Sequence, residues 1–255
     1  MIALLTGSLL APPSAFITLI GVIIIFGWRE YAPLATELGA APLRGLGPLL
    51  ALGCALSFLI PDTDVTLATF MAAMVIGAIA GMVIGRQHPR LAIQRTMATW
   101  AGLLWLGLMP GAQVGIRQVE GGAAWLAFLY SAVSVGDIAA YYGGRAFGRT
   151  LLAPSLSPKK TVAGSVSGLL LSAAAGAACD FLMDLPVNLP VAAIAGAFLG
   201  LVGQMGDLAE SALKRMAGMK DSSSLLPGHG GILDRIDGHL FAGTMLYVLL
   251  VSRLL

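Results

Sequence analysis

Polar residues of this mostly apolar chain concentrate in two segments, residues 137–164 and residues 206–238. The second, residues 206–238, reads GDLAESALKRMAGMKDSSSLLPGHGGILDRIDG and places acids, bases and glycines close together. Asp207, Glu210, Ser211 and Lys214 are spaced i, i+3, i+4 and i+7, so a helix would carry them on one face. Taken alone, this spacing favours an ordinary solvated helix end with a Glu210–Lys214 ion pair over part of a reactive site.

The acids that follow favour a site. Asp221, Asp234 and Asp237 come later in the segment, and the last two share a helical face if a helix begins there. They alternate with the cations Lys214, Arg215, Lys220 and Arg235. Mg²⁺ takes hard oxygen ligands, usually one or two carboxylates and the phosphates of its substrate. The segment therefore predicts a place where a cation and a phosphate meet.

A glycine-rich stretch completes the pattern, with Gly228, Gly230 and Gly231 around His229. Glycine allows backbone conformations closed to other residues and lets main-chain N–H groups approach an anion. Taken alone, such a stretch is only a turn, and a lone histidine is more often structural than catalytic. Together with carboxylates for a metal and Lys/Arg for phosphates, it indicates phosphoryl or nucleotidyl chemistry.

Other classes of site fit the sequence poorly. His229 and His239 have no third ligand or HExxH pattern that would indicate zinc, and Cys54 and Cys179 lie far apart in apolar stretches. The chain contains neither a GxxxxGK[ST] phosphate loop nor a GxSxG elbow. Its basic residues lie in short loops between apolar stretches, without a folded basic domain, so we expect no nucleic-acid partner.

The elements that must position these residues are membrane helices. Hydrophobic residues make up 57% of the 255 residues and charged residues 11%, against about 25% charged in soluble domains. Apolar blocks of near-spanning length cover residues 9–28, 45–60, 65–85, 97–112, 122–142, 162–179, 189–207 and 238–254. We predict an all-α integral membrane protein, a polytopic bundle of about eight transmembrane helices. Residues 1–120 would form its N-terminal helices, and residues 121–255 the C-terminal helices with the catalytic loops.

Charge placement predicts the orientation. The first 28 residues carry no charged side chain, so we interpret the start as an anchor rather than a signal peptide. With both termini outside, 13 of the 15 basic residues fall on the inner side, and only Arg117 and Arg253 lie outside. Both polar segments, 137–164 and 206–238, would then face the cytoplasm, where nucleotides are found.

Small residues repeat in two of the predicted spans. Gly77, Gly81 and Gly85 recur every four residues in the third, and Gly196 and Gly200 in the seventh. This spacing lets helix backbones approach closely in lipid. We expect contacts within the chain, and a homodimer face is the alternative.

The polar segments resemble a known family. The run Ser211-x-x-Lys214-Arg215-x4-Lys220-Asp221, followed by Pro227-x-His229-Gly230-Gly231-x-x-Asp234-Arg235-x-Asp237, is similar to the signature of phosphatidate cytidylyltransferases, or CDP-diacylglycerol synthases. GDLAES, D-x-x-AYY-x-GR-x-x-G and SPKKT resemble other blocks of that family. The resemblance by motif extends from about residue 125 to the C-terminus.

The resemblance implies that CTP reacts with phosphatidic acid to give CDP-diacylglycerol and pyrophosphate. It implies Mg²⁺, alone or with a second cation, bound by Asp207, Asp234 and Asp237. The implied catalytic residues are Asp207, Asp234, Lys214, Arg215, Lys220, Asp221, His229 and Arg235. The implied substrate-binding residues are Ser157, Lys159, Lys160, Thr161, Ser211, Gly228, Gly230, Gly231, Asp137 and Arg145. It also implies contact with membrane lipids and a location in a bacterial inner membrane.

The sequence differs from the family pattern at two positions, and two other functions would also explain its polar residues. Ala163 occupies a position where the family usually has Glu, and Gly238 one where relatives often have Ser. A CTP-dependent transferase or kinase acting on an isoprenoid or ether lipid would use similar acids and glycines. A cation transporter with Asp137 and Asp207 as intramembrane sites is the third alternative.

Overall fold

The computed structural model describes residues 12–223 and 230–255. Its helices in chain order are α1 Pro13–Glu37, α2 Leu46–Ser57, α3 Thr63–Ile84, α4 Pro89–Leu103, α5 Met109–Gln118, α6 Gly122–Phe147, α7 Val162–Met183, α8 Leu189–Met216 and α9 Leu233–Val251. A five-residue π-helical segment, Leu104–Leu108, joins α4 to α5. Two short strands, β1 Leu151–Ala153 and β2 Ser157–Thr161, follow α6.

The predicted fold class, an all-α polytopic membrane protein, is confirmed. Each of the eight apolar blocks coincides with helix in the described residues, the fourth lying within the continuous path from α4 to α5. Five helices, α1, α3, α6, α7 and α8, are long and apolar enough to cross a membrane. Of the others, α2 has 12 residues, a length of about 18 Å, and α9 carries three charged residues near its start.

The helices extend further than the apolar blocks that predicted them. Helix α1 continues to Glu37, α8 to Met216, and α9 begins at Leu233. Polarity marks where an apolar stretch ends, but backbone hydrogen bonding does not stop there. Several residues assigned to loops, including Arg29 and Lys214, therefore lie within helices, and Asp234 and Asp237 lie at the start of α9.

The repeated glycines pack helices against each other within the chain, as expected. A side chain at Gly77 of α3 would meet Thr99 of α4. Gly85, directly after α3, faces Ala92, which also belongs to α4. In the C-terminal half, Gly196 of α8 faces Gly176 of α7, where an added Cβ would lie 3.0 Å from the Gly176 Cα. Close backbone approach of this kind holds α7 and α8 together.

A buried polar network ties α9 to its neighbours. The Tyr130 hydroxyl of α6 donates to Gln113 Oε1 of α5 at 2.7 Å, and Gln113 Nε2 donates to the His239 carbonyl at 3.3 Å. The Ser134 hydroxyl lies 3.2 Å from His239 Nε2. Because buried polar groups need partners, these contacts fix the rotation of α9 and hence the direction of the acids at its start.

Candidate active site

A cavity of about 680 Å³ lies where α6, α8 and α9 meet the β1–β2 hairpin and the start of α7. Its lining contains most of the predicted charged residues from both polar segments: Asp137, Arg145, Lys159, Lys160, Asp207, Lys214, Asp234, Arg235 and Asp237, with Thr161 beside them. Residues that are up to about 100 positions apart in the sequence are thereby brought to one place. The two polar segments form one site.

The hairpin carries the first segment to this site. Strands β1 and β2 pair antiparallel, with Leu151 opposite Thr161. The Thr161 hydroxyl then accepts a hydrogen bond from Gly164 N at 3.1 Å and caps α7. Because the strand ends where the helix begins, Lys159 and Lys160 are held at the cavity by fixed backbone on both sides.

Lys160 and Asp207 form the first of two ion pairs. Lys160 Nζ lies 2.7 Å from Asp207 Oδ2, and the Ser211 hydroxyl donates to Asp207 Oδ1 at 3.3 Å. The two charged side chains are 26% and 41% exposed. A pair this exposed is weakly bound, so either partner can turn to a substrate phosphate or a cation at little cost.

Lys214 and Asp234 form the second pair, which is more firmly held. Lys214 Nζ lies 2.5 Å from Asp234 Oδ1, and the side chains are only 12% and 7% exposed. The other oxygen, Asp234 Oδ2, accepts hydrogen bonds from Ser222 N and Oγ, both at 3.0 Å, and from Gly231 N at 2.7 Å. Four contacts fix the orientation of this carboxylate.

The glycines of the second segment make these contacts possible. Gly230 has φ +79, in the left-handed region that favours glycine, and a Cβ there would lie 2.7 Å from Asp234 Oδ2. A side chain at Gly231 would collide with the Ser222 hydroxyl and the Glu30 carboxylate. In the described residues, then, the glycines let the backbone approach the acid that they precede.

Several acidic side chains lie close together on one side of the cavity. Glu210 is fully buried below it, with Lys214 Nζ 3.5 Å away, so the Glu210–Lys214 ion pair foreseen from the sequence does form. Asp234 and Asp237 act on Glu210 electrostatically from α9. Lys214 interacts with all three of these acids, and a group of neighbouring carboxylates suits an additional cation.

The donors fit a cation that is shared with a substrate. Asp207, Asp234 and Asp237 offer the hard oxygen atoms that Mg²⁺ prefers. Within residues 12–223 and 230–255, no three His, Cys, Asp or Glu side chains come together in a group that could hold a metal ion. Mg²⁺ ordinarily takes one or two carboxylates and completes its shell with water and substrate phosphates, so one or two of these acids would hold it only together with a substrate.

The remaining predicted residues do not line the cavity. Ser157 belongs to β2, and Arg215, Lys220 and Asp221 are exposed beyond the end of the cavity-lining part of α8. Arg215 Nη1 donates to the Met219 carbonyl at 3.4 Å. Gly228 and His229 lie outside the described residues, so the roles expected of them remain predictions.

Several polar residues at the site were not foreseen. Ser134, Ser165, Gln204 and His239 line the cavity, and Ser165 Oγ donates to Gln204 Oε1 at 2.5 Å. Glu30 of α1 contacts the start of α9 from the N-terminal half of the chain. The only signal in the sequence was an acid at the edge of an apolar block; its partners are distant in sequence and leave no local pattern.

Fold and site together define the class: a polytopic membrane protein with a charged cavity suited to phosphate chemistry at one end of its helices. The chain belongs to the cytidylyltransferase family, whose family model matches residues 1–253. The family recognised from the motifs is thereby confirmed.

Individual relatives carry a more specific name. Phosphatidate cytidylyltransferase 5, chloroplastic, of Arabidopsis thaliana is 32% identical over 277 aligned residues, covering 94% of this chain and 67% of that protein. The phosphatidate cytidylyltransferase of Brucella suis is 41% identical over 149 residues, 58% of this chain and 55% of the relative. That of Synechocystis is 30% identical over 266 residues, 94% and 89% respectively. The chain thus spans between about half and nine-tenths of the length of these relatives.

Proposed function

We propose that the protein transfers the cytidylyl group of CTP to phosphatidic acid, giving CDP-diacylglycerol and pyrophosphate for phospholipid biosynthesis. The observation that carries the proposal is the meeting of the Lys160–Asp207 and Lys214–Asp234 pairs in one cavity at the end of membrane helices. The names of the Arabidopsis, Brucella and Synechocystis relatives support it.

The reaction joins two anions. An oxygen of the lipid phosphate forms a bond to the α-phosphorus of CTP, and the bond between that phosphorus and the oxygen bridging to the β-phosphate breaks. The electron pair leaves with pyrophosphate. Because a deprotonated phosphate needs no strong general base, the protein must chiefly align the groups and neutralise their charge.

The cations of the cavity suit that task. Lys159, Lys160, Arg145 and Arg235 line it from the hairpin, α6 and α9. The loosely held Lys160 is free to exchange Asp207 for a phosphate oxygen, whereas Lys214 stays with Asp234. We assign phosphate binding first to the lining residues, and the predicted contacts of Arg215 and Lys220 with the triphosphate stay predictions.

Asp207, Asp234 and Asp237 are the proposed ligands of Mg²⁺, alone or with a second cation. When bound, the cation supplies charge neutralisation for the pyrophosphate as it leaves. The protein side of this arrangement is the fixed orientation of Asp234, which Ser222, Gly231 and Lys214 maintain.

The cavity walls also suit a lipid. Ile138 and Tyr141 line the cavity and remain largely exposed on α6, one of the helices able to cross a membrane. A diacyl lipid can keep its chains beside this apolar face while its phosphate reaches the charged residues. We place the cavity on the cytoplasmic side of a bacterial inner membrane, with both termini outside. In this orientation the basic residues concentrate on the cytoplasmic side, as is typical of membrane proteins.

Acceptor specificity tests the proposal. Purified protein in nanodiscs would receive CTP and Mg²⁺ with phosphatidic acid, a polyprenol or an archaeal-type ether lipid as acceptor. We expect pyrophosphate to form with phosphatidic acid, in equal amount to CDP-diacylglycerol. Formation of CDP and a phosphorylated polyprenol would instead support a lipid kinase.

A further inference from the structure

Glu30 is a buried acid outside both polar segments. It lies near the end of α1 and is 4% exposed, yet its two carboxylate oxygens accept four hydrogen bonds. The donors are Ser222 Oγ at 3.0 Å, Ser223 Oγ at 2.7 Å, Ile232 N at 2.9 Å and Leu233 N at 2.8 Å. All four belong to the segment that supplies Asp234.

The four donors come from two separate parts of that segment. Ser222 and Ser223 follow α8, while Ile232 and Leu233 begin α9. The Glu30 carboxylate therefore holds the residues that follow α8 beside the residues that begin α9. The residue that precedes α9, Ile232, has a side chain that accepts no hydrogen bond from the helix, so Glu30 satisfies N–H groups that helix starts leave without partners.

Ser222 connects Glu30 directly to the proposed metal ligand. Its hydroxyl lies 3.0 Å from Glu30 Oε2 and also 3.0 Å from Asp234 Oδ2. Its backbone N–H donates to the same Asp234 oxygen. A displacement of Glu30 would thus move the donors that orient Asp234, although Glu30 itself is not among the residues lining the cavity.

We propose that Glu30 is a positioning residue for cytidylyl transfer: it holds Ser222 and the start of α9 so that Asp234 keeps its orientation toward the cavity. This inference rests on the proposed function. A negative charge suits the role because four donors converge on the group. Glutamine has nearly the same size but would place an amide NH₂ among those donors, leaving at least one buried donor without an acceptor.

The test compares Glu30→Gln with Glu37→Gln, the same change on an exposed residue of the same helix. Three quantities are measured on detergent-purified protein: kcat for cytidylyl transfer, retention of labelled CTP with Mg²⁺ in the absence of lipid acceptor, and the thermal midpoint. We expect Glu30→Gln to lower kcat per folded molecule at least about tenfold and to weaken CTP retention, with Glu37→Gln unchanged. A purely structural role would lower the midpoint and leave kcat per folded molecule and CTP retention at wild-type values, which would overturn the inference.

Ser222→Ala provides a second, milder variant. It removes the shared hydroxyl but keeps the backbone N–H that Asp234 accepts. We expect a several-fold loss of kcat in the wild-type background and a smaller loss when Glu30→Gln is already present, because both changes disturb the same contact. Equal losses in both backgrounds would contradict the proposal. If Glu30→Gln does not fold, unchanged kcat in Ser222→Ala contradicts it and a loss supports it.

The two proposals can fail separately. Wild-type protein that makes no CDP-diacylglycerol would contradict the proposed function. The CTP-retention comparison would still decide the role of Glu30, since it needs no lipid acceptor. Active wild-type protein together with fully active Glu30→Gln would contradict the inference alone.

Discussion

At the scale of single residues, the two ion pairs of the site differ in how firmly they are held. Asp207 has one lysine and a serine hydroxyl and is 41% exposed, whereas Asp234 is 7% exposed and receives four hydrogen bonds. The same charge change should therefore have different effects on stability at the two positions, although both carboxylates should matter for turnover.

Asp207→Asn and Asp234→Asn should each reduce kcat about 100-fold or more, because each removes a charge required beside the phosphates. Only Asp234→Asn should also lower the thermal midpoint clearly, since removing one charge of a buried ion pair costs about 3–5 kcal/mol. Asp64→Asn, an exposed change at the start of α3, is the control. Near-normal turnover in both site variants would refute the assignment.

Ala163 gives a second prediction at this scale. It lies in the first turn of α7, just after Lys159 and Lys160. A glutamate there would suit the positive end of the helix and lie close enough in sequence to restrain one of the lysines. We expect Ala163→Glu to raise kcat/KM for phosphatidic acid with little change in thermal midpoint. Lower expression without a gain in rate would mean that the position serves only to begin the helix.

The residue types and spacing allowed Asp207, Lys214 and Asp234 to be selected from the sequence, because they lie in one segment with a recognisable pattern. Glu30 could not be selected in this way. Its partner Leu233 is 203 positions away, and hydrogen bonds between such distant residues depend on how α1 packs against α9. The Ser134–His239 contact, across 105 positions, was missed for the same reason.

At the scale of elements, apolar runs predicted the helices well and their ends poorly. Helix α8 continues nine residues beyond the apolar block that ends at 207, to Met216, and carries the i, i+3, i+4 and i+7 positions of the second segment with it. The β1–β2 hairpin was not predicted, since SPKKT is short, polar and contains proline. The pairing of β1 with β2 depends on the position of α7, because β2 ends at Thr161 and α7 begins at the next residue.

Helix packing at the glycines can be tested with Gly196→Val. A Cβ at this position would lie 2.5 Å from the Ser172 carbonyl oxygen and 3.0 Å from Gly176 Cα of α7. Both atoms are backbone, so the helices must separate, at a cost of about 1–3 kcal/mol. We expect a lower thermal midpoint by scanning fluorimetry in detergent. Gly53→Val, where no atom lies within 4 Å, should change it little, and equal midpoints would contradict the packing account.

At the scale of the whole molecule, the long apolar helices agree with a membrane protein, and the placement of basic residues predicts that the site faces the cytoplasm. Ser155 lies exposed in the turn between β1 and β2, and both native cysteines are buried. In intact cells, Ser155→Cys should resist a membrane-impermeant maleimide, while Glu120→Cys in the opposite loop should react. Efficient labelling at 155 would reverse the orientation.

The central claim is that the whole protein moves the α-phosphate of CTP, and not the γ-phosphate, to a lipid. One measurement tests it directly: purified protein with phosphatidic acid and Mg²⁺ receives CTP labelled at either the α- or the γ-phosphorus, and the label in extracted lipid is counted. We predict that the α-label enters lipid in equal amount to pyrophosphate released, while the γ-label remains in pyrophosphate. Transfer of the γ-label to lipid, or of neither label, would contradict the account.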